Sequence, residues 1–359
     1  MKYLIDYNFI LGGFDLIQSL LSLFKIFILF TNYSYFVIML NGDKMAKDEN
    51  TSPMELVYDV ISDSMEFLFD RVKGDYFTLY GLTVKNILAN EILQDDFSDD
   101  DKKRLLNIYN RLNGVDISTE DIRKAVQSLM LKGLQESKIS NGSITPDTIG
   151  MLYAYFISKF EPKEKEIKIL DPLAGFGNLL FTLENHLNLK LDLYAVEHNQ
   201  ALVNTMKLNA SLMETDINIY FQNTFNSSFD HNMDYIVTDF DYYDLTEEGY
   251  FPYNVILHHM DSLKDNGVMM CCVPDDFFNY DAEQGFKKAL LEKGSIIGLI
   301  DLPDEMFKRD KKSILLIKKG NFDQKKCLLV KLPSFDDPKE FNNSLVKIEM
   351  WFEENINNN

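Results

Sequence analysis

Asp171, Gly175, Gly177, Asn178 and Glu197 are the residues whose types and spacing best support chemistry. The run Asp171-Pro172-Leu173-Ala174-Gly175-Phe176-Gly177-Asn178 carries two glycines placed so that the backbone can turn sharply and approach a ligand closely. Glu197 follows about 20 residues further on, the spacing at which an acid accepts hydrogen bonds from ribose hydroxyls. A dinucleotide site asks for G-x-G-x-x-G, with a helix N-terminus facing a pyrophosphate. This loop reads D-x-x-A-G-x-G-N: an acid leads it and the third glycine is missing. A leading carboxylate suits a cationic ligand better than a diphosphate. S-adenosylmethionine fits that set, because its amino group and sulfonium are positive and its ribose reaches the second acid. A purely structural turn in another doubly wound enzyme is the competing reading.

These residues need particular elements to hold them. Ile167 to Leu170 reads as a buried parallel strand, Leu179 to Glu184 as the opening of a helix, and Leu191 to Glu197 as a second strand ending in the acid. Further strands are expected over Asn218 to Phe221, Met233 to Thr238, Gly267 to Val273, Ser295 to Leu302, Ser313 to Lys318 and Cys327 to Leu332. Helices fill the gaps over Asn199 to Met213, Tyr253 to Leu263 and Ala282 to Leu291. That rhythm predicts a mainly parallel sheet between helices, finished by an antiparallel strand. Upstream, Met54 to Val72, Leu105 to Leu112 and Ile122 to Leu134 carry helical spacing behind capping residues at Thr51-Ser52-Pro53 and Ser118-Thr119-Glu120-Asp121.

The chain has 359 residues, 46% of them hydrophobic and 13% aromatic, enough for a large domain and a smaller one rather than a disordered polymer. Its net charge of −20 works against binding duplex DNA by phosphate neutralisation unless a local basic patch overrides the total. Lys308-Arg309-Asp310-Lys311-Lys312 is the local candidate; a solvated loop is the plainer reading of the same run. Cys271, Cys272 and Cys327 show neither a paired framework nor zinc spacing, so no metal is expected and the compartment reads as cytoplasmic. Residues 1–45 form a hydrophobic leader. Residues 16–40 either contact a membrane, with Lys25 inside the apolar stretch, or precede a translation start near Met45. Residues 46–140 read as an α-helical domain, 141–338 as the α/β domain and 339–359 as a frayed acidic tail.

Four elements resemble the N6-adenine-specific DNA methyltransferase group of class I S-adenosylmethionine enzymes. They are the loop Asp171 to Asn178, Glu197 with Asn199, Ile144-Thr145-Pro146-Asp147-Thr148-Ile149 as a T-P-x-x-[IV] element, and Asn266-Gly267-Val268 to Val273-Pro274 followed by Pro303-Asp304-Glu305-Met306-Phe307. The likeness covers roughly Ser118 to Gly320. It is nearest to short YtxK-like members, which have a helical N-terminal domain and no separate target-recognition domain. The resemblance implies an α/β fold with a doubly wound, mainly parallel, seven-stranded Rossmann-like methyltransferase sheet. It also implies that Thr145, Pro146, Asp171, Ala174, Gly175, Gly177, Asn178, Glu197 and Asn223 hold S-adenosylmethionine, with Thr145 and Pro146 over its methionine end.

The same resemblance places target chemistry at Asp239-Phe240-Asp241-Tyr242, where the family usually has [DNS]-P-P-[YF]. An exocyclic adenine amine is a poor nucleophile because its lone pair is delocalised into the ring. A side-chain oxygen and a backbone carbonyl that accept its two hydrogens favour a pyramidal nitrogen, while an aromatic ring stacks on the flipped base. Asp239 and Tyr242 keep the outer places and Phe240 still offers a carbonyl, but both prolines, with their fixed φ, are gone. Two function classes lead, with methylation of a protein or small molecule left open as a third because [DN]-x-x-[YF] sites also serve other planar amides and amines. One is an N-methyltransferase with DNA adenine N6 as the implied target; the other is a non-catalytic homologue that binds cofactor or docks a partner.

Overall fold

The computed structural model describes residues 51–138, 144–307, 311–323 and 326–357. The leader at 1–45, the 139–143 junction and Lys308-Arg309-Asp310 of the basic run lie outside the described residues. The N-terminal layer holds α1 (Pro53–Phe69), α2 (Tyr76–Ala89), α3 (Asp99–Tyr109) and α4 (Thr119–Glu136). Their starts follow from local chemistry. Ser52 and Glu55 close a reciprocal capping box on α1, with Pro53 inside the first turn. Asp75 caps α2, and Ser118 with Asp121 repeats the box on α4. Helix α2 ends where Asn90 turns left-handed at φ 50°.

The α/β part runs α5 (Asp147–Lys159), β1 (Glu166–Asp171), α6 (Asn178–His186), β2 (Lys190–Glu197), α7 (Gln200–Leu212), β3 (Ile217–Phe221) and β4 (Met233–Asp239). After a short hairpin of β5 (Leu245–Thr246) and β6 (Gly249–Tyr250) come α8 (Phe251–His259), β7 (Leu263–Pro274), α9 (Asp281–Gln284), α10 (Phe286–Leu291), β8 (Gly294–Asp301), β9 (Lys312–Lys319), β10 (Leu328–Lys331) and α11 (Pro338–Phe352). The main sheet is ordered β10-β8-β9-β7-β4-β1-β2-β3. Its pairs are parallel except where β9 runs antiparallel between β7 and β8. The antiparallel strand therefore lies inside the sheet, not at its finish. Eight strands replace the seven implied by resemblance, because Leu328–Lys331 adds a parallel edge beside β8.

Alternation along the central strands decides which side chains reach which face. Tyr235 and Val237 of β4, with Met270 and Cys272 of β7, enter the core beneath α5, α6 and α11. Ile236, Met269 and Cys271 enter the opposite core beneath α8 and α10. Both faces are covered, as strands buried on two sides require. The segment read as a frayed acidic tail is instead helix α11. Its Phe341, Leu345, Ile348 and Phe352 recur at helical spacing and are buried against the first core. Each such burial contributes about 1.5–3 kcal/mol, enough to override the Asn- and Glu-rich composition around them.

Candidate active site

Chain order reverses across β4-β1-β2: the chain moves outward through β2 and β3, then returns to place β4 on the other side of β1. A crevice at the carboxyl ends of such strands is where doubly wound sheets bind ligands. Asp171 ends β1, Glu197 ends β2 and Asp239 ends β4, so the three predicted carboxylates converge on one edge. Asp171 is buried and accepts from the Leu173 amide at 3.0 Å. Burial pushes its carboxyl up to about 8; the charges of Asp239 and Glu197 push the same way, and the Leu173 bond opposes them only in part. Desolvation and the neighbouring acids thus favour the neutral form of this carboxyl.

The loop between β1 and α6 is built by its glycines. Gly175 and Gly177 have φ of 55° and 82°, the left-handed region that β-carbons disfavour. A β-carbon on Gly177 would also stand 2.8 Å from the Phe181 ring and 2.9 Å from Met206. Ala174 donates to the Val196 carbonyl at 3.0 Å, and Gly177 closes the turn on the Ala174 carbonyl at 2.7 Å. Glu197 secures the loop from β2. One of its oxygens accepts from the Gly175 amide at 3.1 Å and the other from the Asn199 amide at 2.7 Å. Each carboxylate oxygen has a second lone pair, so the ribose role assigned to Glu197 remains chemically open while it braces the turn.

Asn178 donates from Nδ2 to the Thr145 carbonyl at 2.7 Å. This bond ties the Thr145-Pro146 element to the loop it was expected to cover. Pro146 caps α5, and the next residue, Asp147, meets a guanidinium from the helical layer. Arg123, fully buried, bonds both oxygens of Asp147 at 2.8 Å and both of Glu120 at 2.7 Å, with Thr182 at 3.2 Å. Burial acts against ionised Asp147, but Arg123 outweighs it and holds the carboxyl below its usual range. Phe176, at the crown of the loop, sits inside the helical layer's own core and stacks on Phe77 with centroids 5.5 Å apart. The helical layer therefore grips the loop from behind. Neither Arg123 nor Phe176 was marked by sequence; their partners lie in segments too distant for spacing to connect.

Asn223 follows Gln222, whose amide donates to the Glu197 carbonyl at 3.1 Å, so it lies beside the β2 end. It is exposed at the end of β3, and its side-chain oxygen accepts from Phe225 N at 2.9 Å, capping a short turn.

At the end of β4 the backbone exit is held on both sides. Tyr153 donates to the Thr238 carbonyl at 2.8 Å and Phe240 donates to Cys272 O at 3.1 Å, fixing the strand exit without either proline. The Asp239 side chain and the Phe240 carbonyl then converge on one nitrogen, Lys312 Nζ, at 2.7 and 2.8 Å. Tyr242 is 45% exposed, with its ring 5.0 Å from Phe251 in an edge-on contact. Lys312 had been read as part of a basic patch or a solvated loop. It opens β9, and its side chain is only 14% exposed. The signal lay in the strand order: Pro274 of β7 pairs with Lys312, two residues beyond the Cys272 that pairs with Asp239.

The arrangement matches known proteins. Residues 55–134 match the YtxK N-terminal helical domain and residues 118–355 match N-6 DNA methylase. The uncharacterized protein YtxK of Bacillus subtilis is 29% identical over 200 residues, 51% of this chain and 60% of that protein; the match thus spans less than two thirds of this curated relative. A crystal structure from Listeria monocytogenes, described as a candidate class I S-adenosylmethionine-dependent methyltransferase, is 26% identical with a TM-score of 0.75, covering 84% of this chain and all of that one. The methyltransferase subunit of a type I restriction-modification system from Streptococcus thermophilus shares the fold at 17% identity and a TM-score of 0.55, covering 89% of this chain and 77% of that one. The chain belongs to the N-6 DNA methylase family of class I S-adenosylmethionine-dependent methyltransferases.

Proposed function

We propose that the protein methylates an exocyclic amine, with adenine N6 in DNA as the target class, using Asp239, the Phe240 carbonyl and Tyr242. The observation that carries this reading is the convergence of Asp239 and Phe240 O on a single nitrogen at 2.7 and 2.8 Å. Two acceptors so placed take both hydrogens of a target amine and leave its lone pair directed outward. Tyr242 supplies a platform for an unstacked base.

The residues around the β1 and β2 ends fit the cofactor. Asp171 offers a carboxyl whose pKa is raised by burial, Glu197 keeps acceptor capacity for a ribose, and the left-handed glycines bring backbone close. Bound there, S-adenosylmethionine supplies an electrophilic methyl on a sulfonium. Asp171 then gives up its proton and neutralises the ligand's positive end. Thr145 and Pro146, held by Asn178 and by the Arg123–Asp147 pair, close over the far end and exclude water. A nucleobase amine reaches Asp239 only by displacing Lys312.

The second reading, a cofactor-binding homologue without transfer, draws on that same lysine, which already fills the acceptor pair. We assign the protein to the cytoplasm: its three cysteines are free thiols, two of them buried, which suits a reducing compartment. No helix among the described residues is long and apolar enough to cross a membrane. Tritium transfer from labelled S-adenosylmethionine to DNA, RNA and protein, run with the native chain and Asp239→Ala, separates these readings. Label on DNA adenine that requires Asp239 supports the proposal. Label on RNA or protein alone, or none at all, overturns the DNA assignment.

A further inference from the structure

Lys312 carries more than packing explains. Its ammonium takes the two acceptors that the methyl-transfer reading assigns to the substrate amine, and the inference below rests on that reading. The lysine is not a loose surface group that happens to fall there. It is the first residue of β9, paired with Pro274 of β7, and its carbonyl accepts from Leu302 N at 3.3 Å. Neighbouring Ser313 is bonded to Asp301 at 2.9 Å, so the backbone that launches the side chain is held from both adjoining strands. Asp239 is 5% exposed in its side chain and Lys312 14%, which shelters the pair from solvent screening. The Asp241 carboxylate lies within range of the same charge.

The protonation state decides what this nitrogen can do. Burial opposes the charge, but the Asp239 carboxylate outweighs it and holds the Lys312 ammonium above its ordinary range. A protonated amine has no lone pair, so Lys312 is an occupant of the seat and not a nucleophile in it. An in-line transfer sets the accepting nitrogen against the transferable methyl, close to the donor's positive sulfur. A fixed cation in that place meets a second cation when the sulfonium form binds, and a neutral thioether when the demethylated form binds. Asp239 and the nearby Asp241 offset part of this repulsion.

We propose that Lys312 is a built-in occupant of the target-amine seat. It fills the acceptor pair until a substrate displaces it, and it makes the pocket prefer S-adenosylhomocysteine, which lacks the sulfonium charge, over S-adenosylmethionine. The device would keep the site closed to stray amines and to water while no substrate is present. It also gives the lysine a role for which the two missing prolines leave room, since strand exit and acceptor geometry are now held in part by an ion pair.

Calorimetric titration of the native chain, Lys312→Met and Lys312→Gln with each nucleoside tests this. The glutamine variant keeps a donor for Asp239 and Phe240, so folding does not hinge on a bare buried carboxylate; thermal melting checks both variants. The native chain should bind S-adenosylhomocysteine about tenfold more tightly than S-adenosylmethionine, and both variants should narrow the ratio to within about threefold. An unchanged ratio in both variants, or no preference in the native chain, overturns the inference while leaving the methyltransferase reading in place. A methyl adduct on Lys312 in the intact-mass spectrum also overturns it, because the lysine would then be a substrate. If none of the three proteins binds either nucleoside, the underlying cofactor reading fails and the inference falls with it.

Discussion

Cofactor binding should release a proton from Asp171, and the size of that release follows from the site. Burial pushes its carboxyl up to about 8. At pH 6.5 such a group is protonated in nearly every molecule, and a ligand whose positive end needs the carboxylate must first drive that proton off. Calorimetry in buffers of different ionisation enthalpy should therefore show release of about one proton per S-adenosylmethionine bound. The affinity should rise about tenfold per pH unit between about pH 6 and 7.5, equivalent to about 1.4 kcal/mol per unit. Methylthioadenosine, which lacks the charged amino-acid end, serves as a control and should release far less. Asp171→Asn should remove the buffer dependence entirely. If the apparent enthalpy is the same in every buffer for the native chain, Asp171 does not receive the cation.

Two further predictions concern the loop and the fold. Phe176→Ala removes a buried ring stacked on Phe77 and should cost about 3–5 kcal/mol in denaturant unfolding; because that ring anchors the loop, S-adenosylhomocysteine affinity should fall about tenfold, and an unchanged affinity would show that the helical layer does not position the loop. The pH dependence of melting should bend near pH 6.5. Asp171, with its pKa raised from 3.8 to about 8, binds its proton more readily in the folded chain, so its contribution to stability is lost as pH rises toward 8. Burial lowers His259 to about 3, so the unfolded chain takes up that proton first and stability is lost as pH falls from about 6.5. Of these two groups, Asp171 alone acts between about pH 8 and 6.5, and the melting temperature should climb by a few degrees on acidification, then level off; a continued fall on acidification through pH 8 to 6.5 would contradict this.

What the sequence made legible was local. The apolar run before Asp171, the glycine pair and the strand ending at Glu197 each carry their signal within a few residues, and the structure brings those residues to one sheet edge. The strand that ends at Asp239 was equally readable, because its apolar run carries its own signal. What sequence hid was set by strand order. Lys312 reaches Asp239 from a strand two places away, 73 residues along the chain, and a lysine in a charged run looks solvated until β9 is threaded antiparallel between β7 and β8. Arg123 follows the same logic: its capping context at Ser118 was visible, but its pairing with Asp147 joins two layers. Helix α11 was missed for another reason. Its Asn and Glu content masked the four apolar residues that recur on one face.

The central claim is that Asp239 receives the hydrogens of a target amine beside a bound donor. The most direct measurement is methyl-transfer rate against S-adenosylhomocysteine affinity in the native chain and in Asp239→Ala. The account predicts that transfer is abolished while affinity stays within about threefold, since Asp239 contacts the amine rather than the cofactor. Full turnover in Asp239→Ala would contradict it.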